Sequence, residues 1–143
     1  MVTPGVTENS FTDLKRYTDR MIRLLVVDDA PFIREIVRHA LRASAIEVVG
    51  EAEDGAEAIK LAEELEPDVV LMDIVLPVKS GIDATTEILR TRPQTRVVGF
   101  STNDHETIVM KALDAGCCSF ITKPFQADEL IAAIEQAVQS KSA

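Results

Sequence analysis

Short runs of consecutive apolar residues alternate along the chain with segments whose apolar residues recur at helical spacing. The runs are Ile22–Val27, Ile46–Val49, Val69–Met72, Val97–Phe100 and Phe120–Ile121. Continuous rather than alternating apolar positions predict strands buried on both faces, as in a parallel sheet covered by helices. Between the first two runs, Ile33, Ile36, Val37, Ala40 and Leu41 make one stripe, and Pro31 suits its first helical turn. A second helix is predicted over Ala56–Leu65, with Ile59, Ala62 and Leu65 inward and a stop before Pro67. A third runs from about Ile82 to Arg90 and buries Ile88 and Leu89. A fourth spans His105–Ala115, with Val109, Ala112 and Leu113 inward and Gly116 as its stop. The last covers Ala127–Gln139 on Leu130, Ile134 and Val138, with Asp128 and Glu129 at its positive end. Five strands alternating with five helices specify the α/β class, a doubly wound parallel sheet.

Ahead of this pattern, "MVTPGVTENS" reads as a disordered leader. Phe11, Leu14 and Tyr17 then fall at helical spacing behind Ser10, a candidate N-cap for a short extra helix. The regular pattern begins at Met21, which is also a candidate start. The expected division is an extension over residues 1–20 and one domain over 21–143, a length that can bury a real core.

Composition narrows the class of partner. The net charge is -9, and residues 1–20 contribute none of it, because Lys15, Arg16 and Arg20 balance Glu8, Asp13 and Asp19. An acidic domain argues against non-specific binding to nucleic acid or anionic lipid and suits a cation or a basic protein surface. No apolar run approaches the roughly 18 residues of a membrane span. No charged leader followed by an apolar segment marks export, so a cytoplasmic protein is expected. Cys117 and Cys118 are adjacent, a spacing that strains a disulfide, and are expected to be reduced. His39 and His105 lie on predicted helices without ligand partners and read as surface residues.

In a doubly wound sheet, sites form outside the carboxyl ends of the strands. The first strand ends in Asp28 and Asp29, the third in Asp73, the fourth in Ser101 and Thr102, and the fifth in Lys123 and Pro124. Three carboxylates, a hydroxyl and an ammonium therefore converge on one edge. Two like charges about 4 Å apart repel by very roughly 4 kcal/mol at an effective dielectric near 20, so the acidic group calls for a cation. Mg²⁺ typically takes one or two carboxylates with waters and a phosphate. A carboxylate left free can act as a nucleophile and form an acyl phosphate. No glycine-rich nucleotide loop and no G-x-S-x-G elbow compete with this reading.

The strand-end segments "VVDDAPF", "LMDIVLPVKSG", "FST" and "FITKPF", in that order, resemble the receiver domain of two-component response regulators. Within that family the chain resembles the single-domain chemotaxis regulators of the CheY type, over Met21 to about Gln139. The resemblance implies a flavodoxin-like (βα)5 fold with strand order 2-1-3-4-5. It implies that Asp73 accepts phosphate from a histidine kinase of the CheA kind. Asp28, Asp29, Asp73 and the main-chain carbonyl of Val75 would hold Mg²⁺, one aspartate acting through water. Both neighbouring aspartates reach one ion only if Asp29 lies past the strand, because strand side chains alternate faces. Ser101 and Lys123 would bind the phosphoryl oxygens, Phe120 would be an aromatic switch with Ser101, and the Lys123–Pro124 bond would be cis. The protein would catalyse only its own phosphorylation and dephosphorylation, as a monomer. Its phosphorylated form would bind a partner such as a flagellar motor switch protein or a phosphatase.

Departures from the chemotaxis pattern carry expectations of their own. Val75 stands where those regulators often have a polar residue that positions the hydrolytic water, which predicts slow self-dephosphorylation, with Asn103 a partial substitute. Thr102 is larger than the usual small neighbour and would narrow phosphate access. Two other outputs share the chemistry: a phosphorelay intermediate or phosphate sink, and the receiver part of a larger regulator. A Mg²⁺-dependent phosphohydrolase is disfavoured, since "DIV" follows the nucleophile where haloacid-dehalogenase-like enzymes have D-x-D.

Overall fold

Five strands form one parallel sheet in the order β2–β1–β3–β4–β5, as expected. They are β1 (Ile22–Val27), β2 (Ile46–Ala52), β3 (Val69–Asp73), β4 (Arg96–Ser101) and β5 (Ser119–Thr122). The connecting helices are α1 (Pro31–Leu41), α2 (Gly55–Leu65), α3 (Gly81–Thr91), α4 (Glu106–Ala115) and α5 (Ala127–Gln139). The computed structural model describes residues 21–139, so the leader and the expected helix after Ser10 lie outside the described residues.

Side-chain alternation along the strands divides the core in two. Leu24 and Val26 of β1, Leu71 of β3, Val98 and Phe100 of β4 and Ile121 of β5 pack with α1 and α5 through Val37, Leu41, Leu130 and Ile134. Leu25, Val27, Val70, Met72 and Val97 face the other way, onto Ala58 and Ala62 of α2, Ile88 of α3 and Ala112 of α4. Each fully buried Leu or Val side chain contributes roughly 1.5–3 kcal/mol relative to exposure. The central strands carry such side chains on both faces, which is why their sequence reads as an unbroken apolar run.

Three details depart from the sequence reading. β2 runs on through Gly50 and Glu51 to Ala52, because pairing with Leu25, Val26 and Val27 holds it extended past its apolar stretch. Ile36 and Leu113 are 38% and 41% exposed rather than inward. Each sits about 100° round its helix from the residue that does face the sheet, Val37 and Ala112, and that turn takes it to the rim. Ile108, four residues before Ala112, packs on the core in place of Leu113. Leu89 is half-buried beside the fully buried Ile88.

The turns aim the strand ends. The Asp54 side chain accepts from the Glu57 N–H at 2.8 Å and starts α2. Arg23 donates to the carbonyls of Leu65 and Glu66 at 2.7 and 2.9 Å, closing α2 just before Pro67. At Gly81 a Cβ would lie 2.0 Å from the Asp73 carbonyl oxygen, so only glycine lets α3 start against the end of β3. Gly116, at φ +117°, ends α4 in the left-handed region. Cys117 is buried, Cys118 is exposed, and both are free thiols.

Candidate functional site

The carboxyl edge of the sheet brings together the residues that end its strands. Asp28 and Asp29 both follow the last residue of β1, so neither is bound by strand alternation. Asp28 is 1% exposed, Asp73 at the end of β3 is 5% exposed, and Asp29 is exposed. Carboxylate oxygens of the three lie within 4.8 Å of one another. Lys123, just past β5, places its Nζ 2.6 Å from Asp28 Oδ2 and 3.1 Å from Asp73 Oδ2. The same Nζ stands 4.4 Å above the centroid of the Phe100 ring.

Each acidic group is held differently. Asp28 Oδ1 accepts from the Ala30 N–H at 2.8 Å, and its own N–H donates to the Ala52 carbonyl at 3.0 Å. Asp73 Oδ1 accepts from the Val75 N–H at 3.0 Å. Burial pushes the Asp73 carboxyl up to about 6; the Lys123 charge and the Val75 N–H oppose that rise, and the charge of Asp28 adds to it. A carboxyl so placed is mostly ionised at neutral pH yet retains a strong preference for charge relief. All three acidic side chains offer hard oxygen donors, a set that fits Mg²⁺, and the negative charge left beyond Lys123 favours a divalent cation there.

Ser101 ends β4 and is buried, one residue beyond Phe100, the register partner of Asp73. Its Oγ accepts from the Asn103 N–H at 3.1 Å, and its carbonyl accepts from the Lys123 N–H at 2.9 Å. Asn103 is thereby tied to the Ser101 loop, and its own Oδ1 accepts from the His105 N–H at 3.0 Å. Phe120 lies on the α4 side of β5, half-buried, against Gly99. A Cβ on Gly99 would come within 3.3 Å of the Phe120 ring, so the absence of a side chain there gives the ring its seat. The Lys123–Pro124 bond is cis. Val75 is exposed at the rim, and Val78 in the same loop takes a positive φ of 68°.

The sequence reading missed the contributions of Phe100 and Arg34. For Phe100 the signal lay in strand pairing, which sets Ile121 beside it, two residues before Lys123. For Arg34 there was none, since its partners come from two other elements.

Comparison with known proteins fits this geometry. The family described as "Response regulator receiver domain" matches residues 24–135. The chemotaxis protein CheY of Listeria monocytogenes is 40% identical over 119 residues, which is 83% of this chain and 100% of that protein. The response regulator domain of Thermotoga maritima CheB superposes with a TM-score of 0.80 at 39% identity, over 86% of this chain and 100% of that one. The receiver domain of a sensor histidine kinase from Pseudomonas aeruginosa superposes with a TM-score of 0.77 at 28% identity, over 84% and 99% of the two chains. That structure is described with a magnesium ion coordinated in its active site cleft.

Proposed function

The chain belongs to the response regulator receiver domain family of two-component signalling, and from that membership we propose that Asp73 takes a phosphoryl group from a phosphohistidine of a histidine kinase. The observation that carries this is the Asp73 carboxylate itself: buried, ionisable near neutrality and within reach of Lys123, beside two further carboxylates. An Asp73 oxygen would attack phosphorus in line as the bond from phosphorus to the histidine nitrogen breaks, and the imidazole would leave with its bonding pair and take up a proton. The product is an acyl phosphate on Asp73.

Asp28, Asp29 and Asp73 would hold Mg²⁺, with the Val75 carbonyl as a further ligand. When bound, the ion supplies positive charge that offsets the phosphoryl oxygens. Lys123, freed from part of its contact with Asp73, would pair with a phosphoryl oxygen. The Ser101 hydroxyl would donate to another, and Phe120 would turn inward as that loop closes. The two positions of Phe120 would bias a binding surface made by α4, β5 and α5. Residues 21–143 form the receiver unit in this reading, acting as a cytoplasmic monomer that catalyses only its own phosphorylation and dephosphorylation. The kinase would be of the CheA kind, and the output a protein contact such as a flagellar motor switch protein or a phosphatase. Similarity to CheY over that protein's whole length supports the chemotaxis form of this reading.

Incubation with acetyl phosphate and Mg²⁺, with wild type and Asp73→Asn followed by intact-mass measurement, tests the assignment. One acid-labile phosphate on wild type and none on the variant is expected; equal labelling of both overturns it. A second reading, relay to or from a histidine phosphotransfer protein, has support from the similarity to a receiver domain of a sensor kinase. Rapid return of phosphate from Asp73 to such a histidine would favour it over a motor contact.

A further inference from the structure

The acidic pair after β1 is held by more than its own turn. Arg34, in the first turn of α1, donates from Nη1 to the main-chain carbonyl of Asp28 at 2.6 Å. Its Nε donates to Glu51 Oε1 at 2.7 Å, and Arg38 pairs with the other oxygen of Glu51. Glu51 lies on β2, beside Val26 in register, one residue before the Ala52 carbonyl that receives the Asp28 N–H. The Arg34 side chain is only 15% exposed. Burial tends to raise the Glu51 carboxyl, but Arg38 and Arg34 outweigh it and keep the group below its usual range, so the chain of charges is intact at neutral pH.

Every polar group of Asp28 is therefore held by a partner of its own. The N–H is fixed by β2, the carbonyl by α1, Oδ1 by the Ala30 N–H, and Oδ2 by Lys123. The carbonyl bond matters most for direction, because it sets the plane of the peptide joining Asp28 to Asp29. A planar peptide transmits that orientation to both residues.

We propose that Arg34 is a positioning residue of the metal site: steered by Glu51, its guanidinium clamps the Asp28 carbonyl and so sets where the Asp28 and Asp29 carboxylates point. This rests on the reading of those carboxylates as a Mg²⁺ site. A planar fork can serve a carbonyl and a carboxylate at once, whereas an ammonium is a point donor without that geometry. Charge alone makes the opposite demand. Arg34 is a cation beside a cation site, and its removal should then strengthen Mg²⁺ binding.

The two roles therefore differ in sign, and the Mg²⁺ dissociation constant of the full chain, measured by titration calorimetry without any phosphodonor, separates them. Arg34→Ala and Arg34→Lys are expected to bind Mg²⁺ about five- to tenfold more weakly, the second without any change of charge. Arg38→Ala, which removes the same charge but leaves the Arg34 clamp, should stay within twofold of wild type. Metal-free melting and circular dichroism report whether each variant folds; should Arg34→Ala fail, Arg34→Lys carries the test. Unchanged or tighter binding in folded Arg34→Lys overturns the inference. Absence of Mg²⁺ binding by the wild-type chain overturns the reading of the site beneath it, and the inference with it.

Discussion

The ammonium of Lys123 rests 4.4 Å above the ring of Phe100 while it bridges Asp28 and Asp73. Phe100 is fully buried one residue before the end of β4, so the ring forms the floor of the site and the acidic pair its wall. A cation over a desolvated aromatic face gains about 1–2 kcal/mol. The ring thus helps hold a lysine that would otherwise lose hydration and rotamer freedom to reach two carboxylates.

A double-mutant cycle on Phe100→Leu and Lys123→Met should show this coupling. Phe100→Leu alone is expected to lower stability by about 1–2 kcal/mol through lost packing. The cycle should return a coupling of about 1 kcal/mol by urea denaturation. Additive losses would mean that the ring acts only as core.

Asp73 gives the protein a pH dependence of defined sign. Its folded value of about 6 lies above its ordinary 3.8. The folded state therefore binds more protons than the unfolded one between those values, and ionised Asp73 opposes folding at pH 7. That opposition, roughly 3 kcal/mol at most, is relieved as pH falls from about 7 to 4. Asp73→Asn should accordingly be more stable than wild type at pH 7 in the absence of metal. Its advantage should shrink towards pH 4, as followed by urea denaturation across that range. Mg²⁺ should stabilise wild type and not the variant, narrowing the gap at pH 7.

Val78 carries a positive φ of 68° in the loop between β3 and α3, fully in the left-handed region. For a β-branched residue this conformation costs about 1–2 kcal/mol, and asparagine adopts it more readily. Val78→Asn should raise unfolding free energy by about 1 kcal/mol with an unchanged denaturant slope. A loss of stability would show that the exposed valine makes contacts worth more than the strain.

Val75 sits exposed beside Asp73, the proposed acceptor, and offers it only its N–H. A hydrocarbon side chain cannot orient a water for attack on an acyl phosphate. Val75→Asn should therefore shorten the phosphate lifetime severalfold, read by phosphate-affinity gel electrophoresis after removal of the phosphodonor. A variant that loses phosphate no faster would assign water placement to another residue, with Asn103 the nearest candidate on the Ser101 loop.

Much of the architecture was legible along the chain because burial on two faces leaves a distinct pattern. The five apolar runs became the five strands, and Pro31, Pro67 and Gly116 bounded helices where they were expected to. Where the pattern misled, as at Ile36 and Leu113, a helix face was assigned one residue too wide. Periodicity shows that a helix has an apolar side; the neighbour against which it rests decides which edge of that side is covered. α4 shows this plainly, since Ala112 is its one fully buried residue and Ile108 rather than Leu113 completes the contact.

Residue order along the chain is enough to name the parts of the candidate site and the edge on which they meet. Strand ends in a parallel sheet all emerge on one side, so Asp28, Asp29, Asp73, Ser101 and Lys123 could be assembled from their positions alone. How those parts are held emerges from packing between elements: Lys123 bridges two aspartates over Phe100, and Arg34 reaches both the Asp28 carbonyl and Glu51. The difference lies in range. Strand and helix patterns arise from neighbours within a few residues, whereas these contacts join residues up to 95 positions apart, between elements whose separation is set by core packing.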